Sequence, residues 1–429
     1  MPRAVEVFTP NDVPTFSYVE RINKFEDRLR EALSVPKMII SLSGPSKSGK
    51  TVLVKKVVGE NLIPLSGATI RSGDALWSKV LGWMEVPDQR TEKTETAISM
   101  EATANAGGKI GVPLVAQGEA KAGGKLGGER TYGQEKTFHQ GGLAQVIREI
   151  ANSDYTVFVD DFHYIPKDVQ KEIGQQIKEA AEAGIRIVTA SVPHRSDDVV
   201  RSNTELRGRV TAIDTSYWSE SELEQIAYRG FRELNSDIAP AIIQRLTRES
   251  FGSPQLMQAI GLNFCFENDL LESIPQQRRI ETNFAVVERV LERTSAQTDF
   301  SSMTAVLHAG PRQRGVERKQ FRFNDGSAGD VYRCVLLAIR ADPPKLSFQY
   351  SDMIARTKSE CAGESPTGSS VNQALMQMDQ LAKTVQDAPV IEWDEDVLDI
   401  VEPYFLFFLR SSSFLRRDAL REASDRSHS

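Results

Sequence analysis

The fold of this chain is decided by Gly44-Pro45-Ser46-Lys47-Ser48-Gly49-Lys50-Thr51. The apolar run at 38–42 predicts a buried strand before this stretch, and apolar residues at helical spacing from Val52 onward predict a helix after it. A glycine-rich loop between a strand and a helix satisfies the pattern G-x-x-x-x-G-K-S/T in the context that its mechanism requires. An accidental glycine-rich turn is the alternative, and the flanking strand and helix argue against it.

The residue types in this loop are those of a phosphate site. Glycine lets backbone N–H groups wrap around phosphate oxygens at the amino end of a helix. The Lys50 ammonium reaches the β- and γ-phosphates in such a loop, and the Thr51 hydroxyl ligates Mg²⁺. We therefore expect a nucleoside triphosphate, most simply ATP, to bind together with Mg²⁺. The residues expected to contact it are Gly44, Pro45, Ser46, Lys47, Ser48, Gly49, Lys50, Thr51 and Val52.

A second acidic motif follows a predicted strand further along the chain. The apolar run at 155–159 ends in Asp160-Asp161, which places carboxylates at the carboxyl edge of a strand. Beside a phosphate loop, Asp160 is expected to organise the Mg²⁺ shell and Asp161 to orient or deprotonate an attacking water. Two adjacent acids after a strand also begin many ordinary loops, so the phosphate loop is what favours the functional interpretation.

Strands and helices alternate through residues 1–215, which predicts an α/β fold with the parallel sheet of a P-loop NTPase core. Glycine- and alanine-rich residues at about 92–134 interrupt this alternation, and their two-residue periodicity predicts an inserted β-hairpin. Such a hairpin could line the central channel of an oligomer, bind a partner, or form a barrel together with the hairpins of neighbouring subunits. Its apolar positions are mostly alanine, so we expect an oligomer contact and no insertion into a membrane.

The second half of the chain is predicted to be mainly helical. Residues 216–294 form a helical lid that opens with a capping box at Ser219-Glu220-Ser221-Glu222. Residues 295–329 form a basic connector, and residues 413–429 a flexible tail. Between them, 330–412 has the outline of a winged-helix domain, with three helices followed by a β-like tail at 390–393 and 397–408.

Composition limits the function classes that remain. The chain has 429 residues, of which 40% are hydrophobic and 26% charged, so two or three globular domains are expected. Its formal charge of −7 produces no global attraction to nucleic acid, and any DNA contact must be local. Three scattered cysteines, short apolar runs and an amino terminus without a secretory pattern favour the cytoplasm.

These motifs resemble the AAA+ and STAND group of P-loop ATPases, in the branch of origin-recognition-like initiators and bacterial signalling ATPases. Tyr18-Val19-Glu20-Arg21 looks like the adenine-side entry motif of that group, which implies nucleotide contacts for Tyr18, Val19 and Arg21. Ser191 stands where the group keeps its polar sensor of the γ-phosphate. Residues 206–210 resemble its arginine-finger box, with Arg209 as the preferred finger and Arg207 as the substitute.

The resemblance also has departures that bear on mechanism. Gly252-Ser253-Pro254-Gln255 looks like the glycine-any-proline signature of the STAND group, which implies that Pro254 contacts the nucleotide. The second-sensor arginine of AAA+ motors would fall near Gln255 and is absent. Many members of the group carry glutamate at the position of Asp161, so slow hydrolysis is expected. A nucleotide-dependent switch is favoured over a motor.

Two functions follow from the sequence. The first is a Mg²⁺- and ATP-dependent homo-oligomeric switch that engages a protein partner or effector, which the resemblance links to bacterial defence. The alternative is a DNA-binding initiator or loader whose basic connector and winged helix contact duplex. The expected recognition helix, 371–385, carries Asp379 and a single lysine, Lys383, a poor composition for the major groove.

Overall fold

The computed structural model describes residues 1–86, 141–192, 206, 208–312, 315, 317–385, 390–394 and 396–415. The predicted hairpin at 92–134, Arg207 and the last part of the predicted tail lie outside the described residues. Internal contacts divide the chain into two units. We call one the sheet unit, Glu26–Ser43 with Val54–Asp214, and the other the helical unit, Met1–Phe25 with Gly44–Leu53 and Thr215–Ser429.

The sheet unit contains a five-stranded parallel sheet. Its strands are β1 (Ile39–Ser43), β2 (Leu62–Ser66), β3 (Thr156–Asp160), β4 (Arg186–Ser191) and β5 (Val210–Asp214). They lie in the order β2-β3-β4-β1-β5, and every neighbouring pair runs parallel. β1 is buried along its whole length, as expected for the continuous apolar run of a parallel strand that is covered on both faces. The predicted α/β class with a P-loop NTPase core is confirmed.

Helices alternate with these strands along the chain. From the amino terminus to residue 214 the described helices include α1 (Ala4–Val7), α2 (Phe25–Ser34), α3 (Lys50–Val58), α4 (Gly73–Trp83), α5 (Gly141–Ile150) and α6 (Lys167–Glu182). Buried side chains of α4, α5 and α6 share one apolar cluster with the strands, for example Leu81, Val146 and Ile173. Helix α2 begins at Phe25, because Lys24 has a left-handed φ of 49° that ends any helical run before it.

Five helices form the first part of the helical unit after Thr215. They are α7 (Glu220–Glu233), α8 (Pro240–Arg248), α9 (Pro254–Glu267), α10 (Phe284–Ala296) and α11 (Ser301–Ala309), with short strands β6 (Ser236–Asp237) and β7 (Arg278–Arg279). The capping box predicted at Ser219 is present, with Glu222 as its second member. α11 lies inside the stretch predicted to be an aperiodic connector, because its buried Met303 and Leu307 make only one apolar turn in the sequence.

The remaining elements are β8 (Phe321–Arg322), β9 (Ala328–Gly329), α12 (Val331–Arg340), β10 (Ser347–Gln349), α13 (Tyr350–Glu360), α14 (Gly368–Val385), β11 (Ile391–Asp394), β12 (Val397–Ile400) and α15 (Pro403–Ser411). The strands β10, β12 and β11 form an antiparallel sheet in that order.

The β-like tail expected at 397–408 is wrong beyond Ile400, where α15 replaces it. The Glu402 side chain caps this helix by accepting a hydrogen bond from the Tyr404 backbone N–H, and Pro403 occupies its first turn. The helix is buried on nearly all sides, so its apolar run shows no helical periodicity in the sequence. Within the described residues, no helix is long and apolar enough to span a membrane.

Candidate nucleotide-binding site

The phosphate loop begins directly after β1. Gly44 follows Ser43 in the chain, and α3 begins at Lys50. A side chain at Gly44 would not fit, because its Cβ would lie 2.1 Å from the Oγ1 of Thr215. Lys47 and Gly49 are left-handed, with φ of 61° and 92°. Left-handed residues in a tight loop turn backbone N–H groups toward a common concavity that suits an anion.

Lys50 folds back over this loop. Its Nζ donates hydrogen bonds to the carbonyl oxygens of Gly44 and Pro45, at 2.7 and 2.8 Å, and the residue is 8% exposed. A buried ammonium inside a glycine-rich turn places a positive charge in the loop. Glycine at the crowded position, left-handed residues and the inward lysine together fit the phosphates of a nucleotide. Thr51 and Val52 lie in the first turn of α3, where a phosphate at the helix amino terminus is expected.

Three distant residues of the helical unit hold the loop by hydrogen bonds. The Trp218 indole Nε1 donates to the Ser48 carbonyl at 2.9 Å, and the Ser253 hydroxyl donates to the Lys47 carbonyl at 3.3 Å. The Ser46 hydroxyl donates to the Glu402 carboxylate at 3.2 Å. These contacts fix the loop from α7, α9 and α15 or the residues that precede them, so loop position and helical packing are linked.

Glu402 brings a carboxyl group to the loop. Burial raises the pKa of its carboxyl above the ordinary glutamate value, while the nearby Lys47 ammonium and the hydrogen bonds from Tyr404 and Ser46 oppose the rise. One carboxylate oxygen caps α15 and the other accepts from Ser46. When ionised, this carboxyl would repel a phosphate placed at the loop.

Arg21 is used within the protein itself. Its guanidinium donates to the backbone carbonyls of Thr215, Ser216 and Tyr217 at 2.7 to 2.9 Å, and it forms an ion pair with Glu222. It also lies over the Trp218 ring, 5.1 Å from the centroid. Arg21 therefore positions the segment that carries Trp218 to the phosphate loop. Arg21 is 8% exposed, and its predicted contact with the nucleotide stays a prediction.

The other residues predicted on the adenine side and in the lid lie in the same unit. Val19 is buried in the main apolar cluster of the helical unit, and the Tyr18 carbonyl accepts a hydrogen bond from Arg229. Pro254 begins α9, and its ring carbon lies 3.7 Å from where a Cβ on Gly49 would be. The structure thus brings Pro254 beside the phosphate loop.

Asp160 and Ser191 lie in the sheet unit, at the carboxyl ends of neighbouring strands. Asp160 ends β3 and Ser191 ends β4, whose last residue pairs with Ser43 of β1. Ligands of open parallel sheets bind beyond the carboxyl ends of the strands, which is the edge that these residues share. Asp161 follows with a left-handed φ of 53°, and its N–H donates to Asp160 Oδ1 at 3.0 Å.

The left-handed turn at Asp161 is closely packed against Gly67. A Cβ on Gly67 would lie 2.3 Å from the Asp161 carbonyl oxygen, so the chain after β2 passes close to the acidic pair.

Arg209 is elsewhere in the sheet unit, where its 45% exposed side chain forms an ion pair with Glu182. Its backbone carbonyl accepts from the N–H of Ile39 at the start of β1.

Sequence reasoning missed the residues that hold the loop from outside. Ser253 lay within the quoted Gly-Ser-Pro-Gln motif, which is the signal that could have identified it. Trp218 and Glu402 carried no such signal, because an indole donor and a helix-capping acid are common far from any site.

Comparisons with known proteins found distant structural likenesses. No protein-family model and no curated protein matches the sequence. A Walker-type ATPase of Pyrococcus abyssi aligns with a TM-score of 0.49 and 12% identity over 91% of this chain and 96% of its own. Cdc6p of Pyrobaculum aerophilum gives 0.44 and 13%, over 97% and 98%.

A third similar structure is the ORC2 protein of Aeropyrum pernix, solved as ADPNP–ADP complexes. It aligns with a TM-score of 0.48 and 10% identity over 98% of both chains. These distant likenesses assign the chain to no family.

Proposed function

We propose that this chain binds ATP with Mg²⁺ at the phosphate loop and switches its assembly state with the bound nucleotide. The observation that carries the proposal is the set of hydrogen bonds that join the loop to Trp218, Ser253 and Glu402. A ligand that changes the conformation of the loop also changes its hydrogen bonds to these three side chains. Phosphate binding is therefore expected to reach α7, α9 and α15 directly.

The chain's own residues support slow ATP hydrolysis. Lys50 supplies the buried cation of the loop, and Thr51 and Asp160 supply the oxygen ligands for the metal. Bound Mg²⁺ would neutralise the negative charge that develops on the phosphate oxygens. Asp161 orients the attacking water and accepts its proton, and Ser191 donates to the terminal phosphate. Aspartate at position 161 reaches less far than the glutamate of many AAA+ relatives, so turnover is slow.

Assembly is proposed to be a homo-oligomer with nucleotide sites completed by a neighbouring subunit. Arg209 is the preferred arginine finger and Arg207 the substitute, and assembly would release Arg209 from Glu182. We further propose a STAND-type switch, with Pro254 as a nucleotide contact and the carboxyl-terminal part as a winged helix. Its partner is a protein effector, in bacterial defence, and its place is the cytoplasm, in keeping with three free cysteines.

The DNA-binding alternative has less support from the residues predicted to make the contacts. Arg318 donates to the carbonyls of Ala309 and Pro311 and pairs with Asp330, and its guanidinium lies over Tyr332. A partly buried arginine with these partners, 19% exposed, stabilises the protein, and releasing it to a phosphate would cost those bonds.

Lys319 and the expected recognition helix also give little support to DNA binding. Lys319 forms an ion pair with Glu364, and on α14 Lys383 pairs with Asp379 of the same helix. These contacts leave the protein-partner proposal in first place.

Light scattering tests both functions. Wild type, Lys50→Ala and the exposed control Lys55→Ala are measured without nucleotide, with ADP and with ATP, each with and without a DNA duplex. We expect larger particles for wild type and Lys55→Ala with ATP alone, and none for Lys50→Ala. A monomer in every condition would contradict the switch even where ATP binds. Assembly that requires the duplex would put the DNA-binding alternative first.

A further inference from the structure

Two cysteines of the carboxyl-terminal part lie against each other. Cys334 is on α12 and Cys361 directly follows α13, and their Sγ atoms are 3.7 Å apart although the residues are 27 positions apart in sequence. Cys334 is fully buried and Cys361 is 9% exposed. The third cysteine, Cys265, is buried in α9 within a different apolar cluster. The chain therefore contains one close thiol pair and one internal control.

The pair is held in register by the backbone around it. Cys361 forms a β-bridge with Phe323, and the neighbouring N–H groups of Asn324 and Ala362 donate to the carbonyls of Glu360 and Arg322. Cys334 directs its Sγ to the Thr357 carbonyl at 3.6 Å. Backbone bonds on both sides of Cys361 thus keep its side chain directed at α12.

The two sulfur atoms share a small apolar core. This core also contains Phe321, Phe323 and Leu337. A disulfide bond is about 2.0 Å long, so closure needs an approach of roughly 1.7 Å. Rotations about the Cα–Cβ bonds of two cysteines supply a movement of that size, because each swings a sulfur through more than an ångström.

We propose that Cys334 and Cys361 form a reversible oxidation site that closes into an intramolecular disulfide when the protein meets a hydroperoxide. Cys361 is the thiol that reacts first, since it is the more exposed of the two. Its thiolate attacks the peroxide oxygen, which forms a sulfenic acid and releases hydroxide. The Cys334 thiol then attacks that sulfur, a disulfide forms and water leaves. In sum, two thiols and one hydrogen peroxide give one disulfide and two waters.

The surroundings make this site slow to react and stable once closed. Burial raises the pKa of both thiols, so little thiolate is present near neutral pH. The pair is therefore expected to respond to sustained peroxide and to stay reduced in an ordinary cytoplasm. The closed bond joins α12 to the end of α13 and restricts the unfolded chain, which stabilises the carboxyl-terminal part.

The test is peptide mapping of the full-length protein under non-reducing conditions after exposure to hydrogen peroxide. We expect a peptide pair linked through Cys334 and Cys361, two hydrogens lighter than the reduced pair and released by dithiothreitol. The Cys265→Ser variant keeps the linked pair. Cys334→Ala and Cys361→Ala lose it, and their far-ultraviolet circular dichroism shows whether they fold.

A second measurement separates a disulfide from unspecific oxidation. The unfolding temperature of wild type is expected to rise by several degrees after oxidation, and that of Cys361→Ala is not. Sulfinic acid at Cys361 without a cross-link, disulfides between chains, or equal oxidation of Cys265 would each overturn the proposal. None of these readouts depends on nucleotide binding, so these experiments test the disulfide independently of the proposed function.

Discussion

The Ser46 hydroxyl donates a hydrogen bond of 3.2 Å to the carboxylate of Glu402, a residue 356 positions later in the chain. A carboxylate in contact with a phosphate loop is unfavourable for binding an anion there, because like charges repel strongly where water is scarce. Lys47 nearby offsets part of this charge. The contact therefore opposes nucleotide binding as long as Glu402 is ionised and docked.

Replacing Glu402 with glutamine is expected to tighten nucleotide binding. Glutamine keeps the size of the side chain, and its one amide oxygen can still cap α15 while its amide NH2 donates to the Ser46 hydroxyl. The substitution removes the negative charge. We expect the Kd for a fluorescent ATP analogue to fall about tenfold, which corresponds to ~1.4 kcal/mol. Asp394→Asn, an exposed acid on β11, is the matched control and leaves the Kd unchanged. Weaker binding by Glu402→Gln would show that the contact supports the loop instead of opposing phosphate.

The same residue predicts a pH dependence. Burial raises the pKa of the Glu402 carboxyl, so the folded protein protonates it at a higher pH than the unfolded chain does. Stability from the neutral form is present at low pH and declines as pH rises through the folded pKa. Protonation also removes the charge that opposes phosphate. The affinity advantage of Glu402→Gln over wild type should therefore shrink as pH falls.

The measurement is the ratio of the two dissociation constants between about pH 8 and about pH 5. Taking the ratio cancels the ionisation of the nucleotide itself. Other groups near Glu402, namely Lys47, Tyr217, Tyr404 and Asp399, are common to both proteins. A ratio that stays constant across this range would mean that Glu402 does not titrate in it.

Trp218→Phe is expected to loosen the phosphate loop. The indole Nε1 bond to the Ser48 carbonyl is lost, while an aromatic ring remains under the Arg21 guanidinium. One hydrogen bond to a partly buried carbonyl contributes about 1 kcal/mol, so nucleotide affinity should drop roughly fivefold. Trp83→Phe, in α4 of the sheet unit, is the control for a change of indole to phenyl. Equal affinities for both variants would remove Trp218 from the site.

Asp161→Asn is expected to separate binding from turnover. Asparagine tolerates the left-handed backbone at this position, so the strand end keeps its shape. A lost general base lowers turnover by about a hundredfold or more, measured as phosphate release, while the Kd for ATP stays within about threefold. Asp160→Asn should instead weaken binding that depends on Mg²⁺. The exposed Asp154→Asn serves as control, and unchanged turnover in Asp161→Asn would remove it as the base.

Local sequence patterns predicted the phosphate loop and the acidic pair, but they did not predict contacts between residues far apart in the sequence. The strand, glycine loop and helix around Lys50 follow one another in the sequence, and the acids at Asp160 follow a visible apolar run, so both could be inferred. Nothing in the residues around Glu402 indicates its contact with Ser46, because a contact between distant positions depends on the whole fold. α11 was missed because its buried Met303 and Leu307 make only one apolar turn, and α15 because it is buried on nearly all sides.

The assignment of Gly44–Leu53 to the helical unit has a consequence for how this chain can be cut or recombined. A fragment that ends at Asp214 would keep every strand of the parallel sheet and the whole glycine-rich sequence. It would lack Trp218, Ser253 and Glu402, the side chains that hold the loop from later in the chain. The parallel sheet and the phosphate loop together therefore do not form an independent fragment with a fixed loop. Exchange of the carboxyl-terminal half between relatives would have to preserve the groups at positions 218, 253 and 402 that contact residues 46–48.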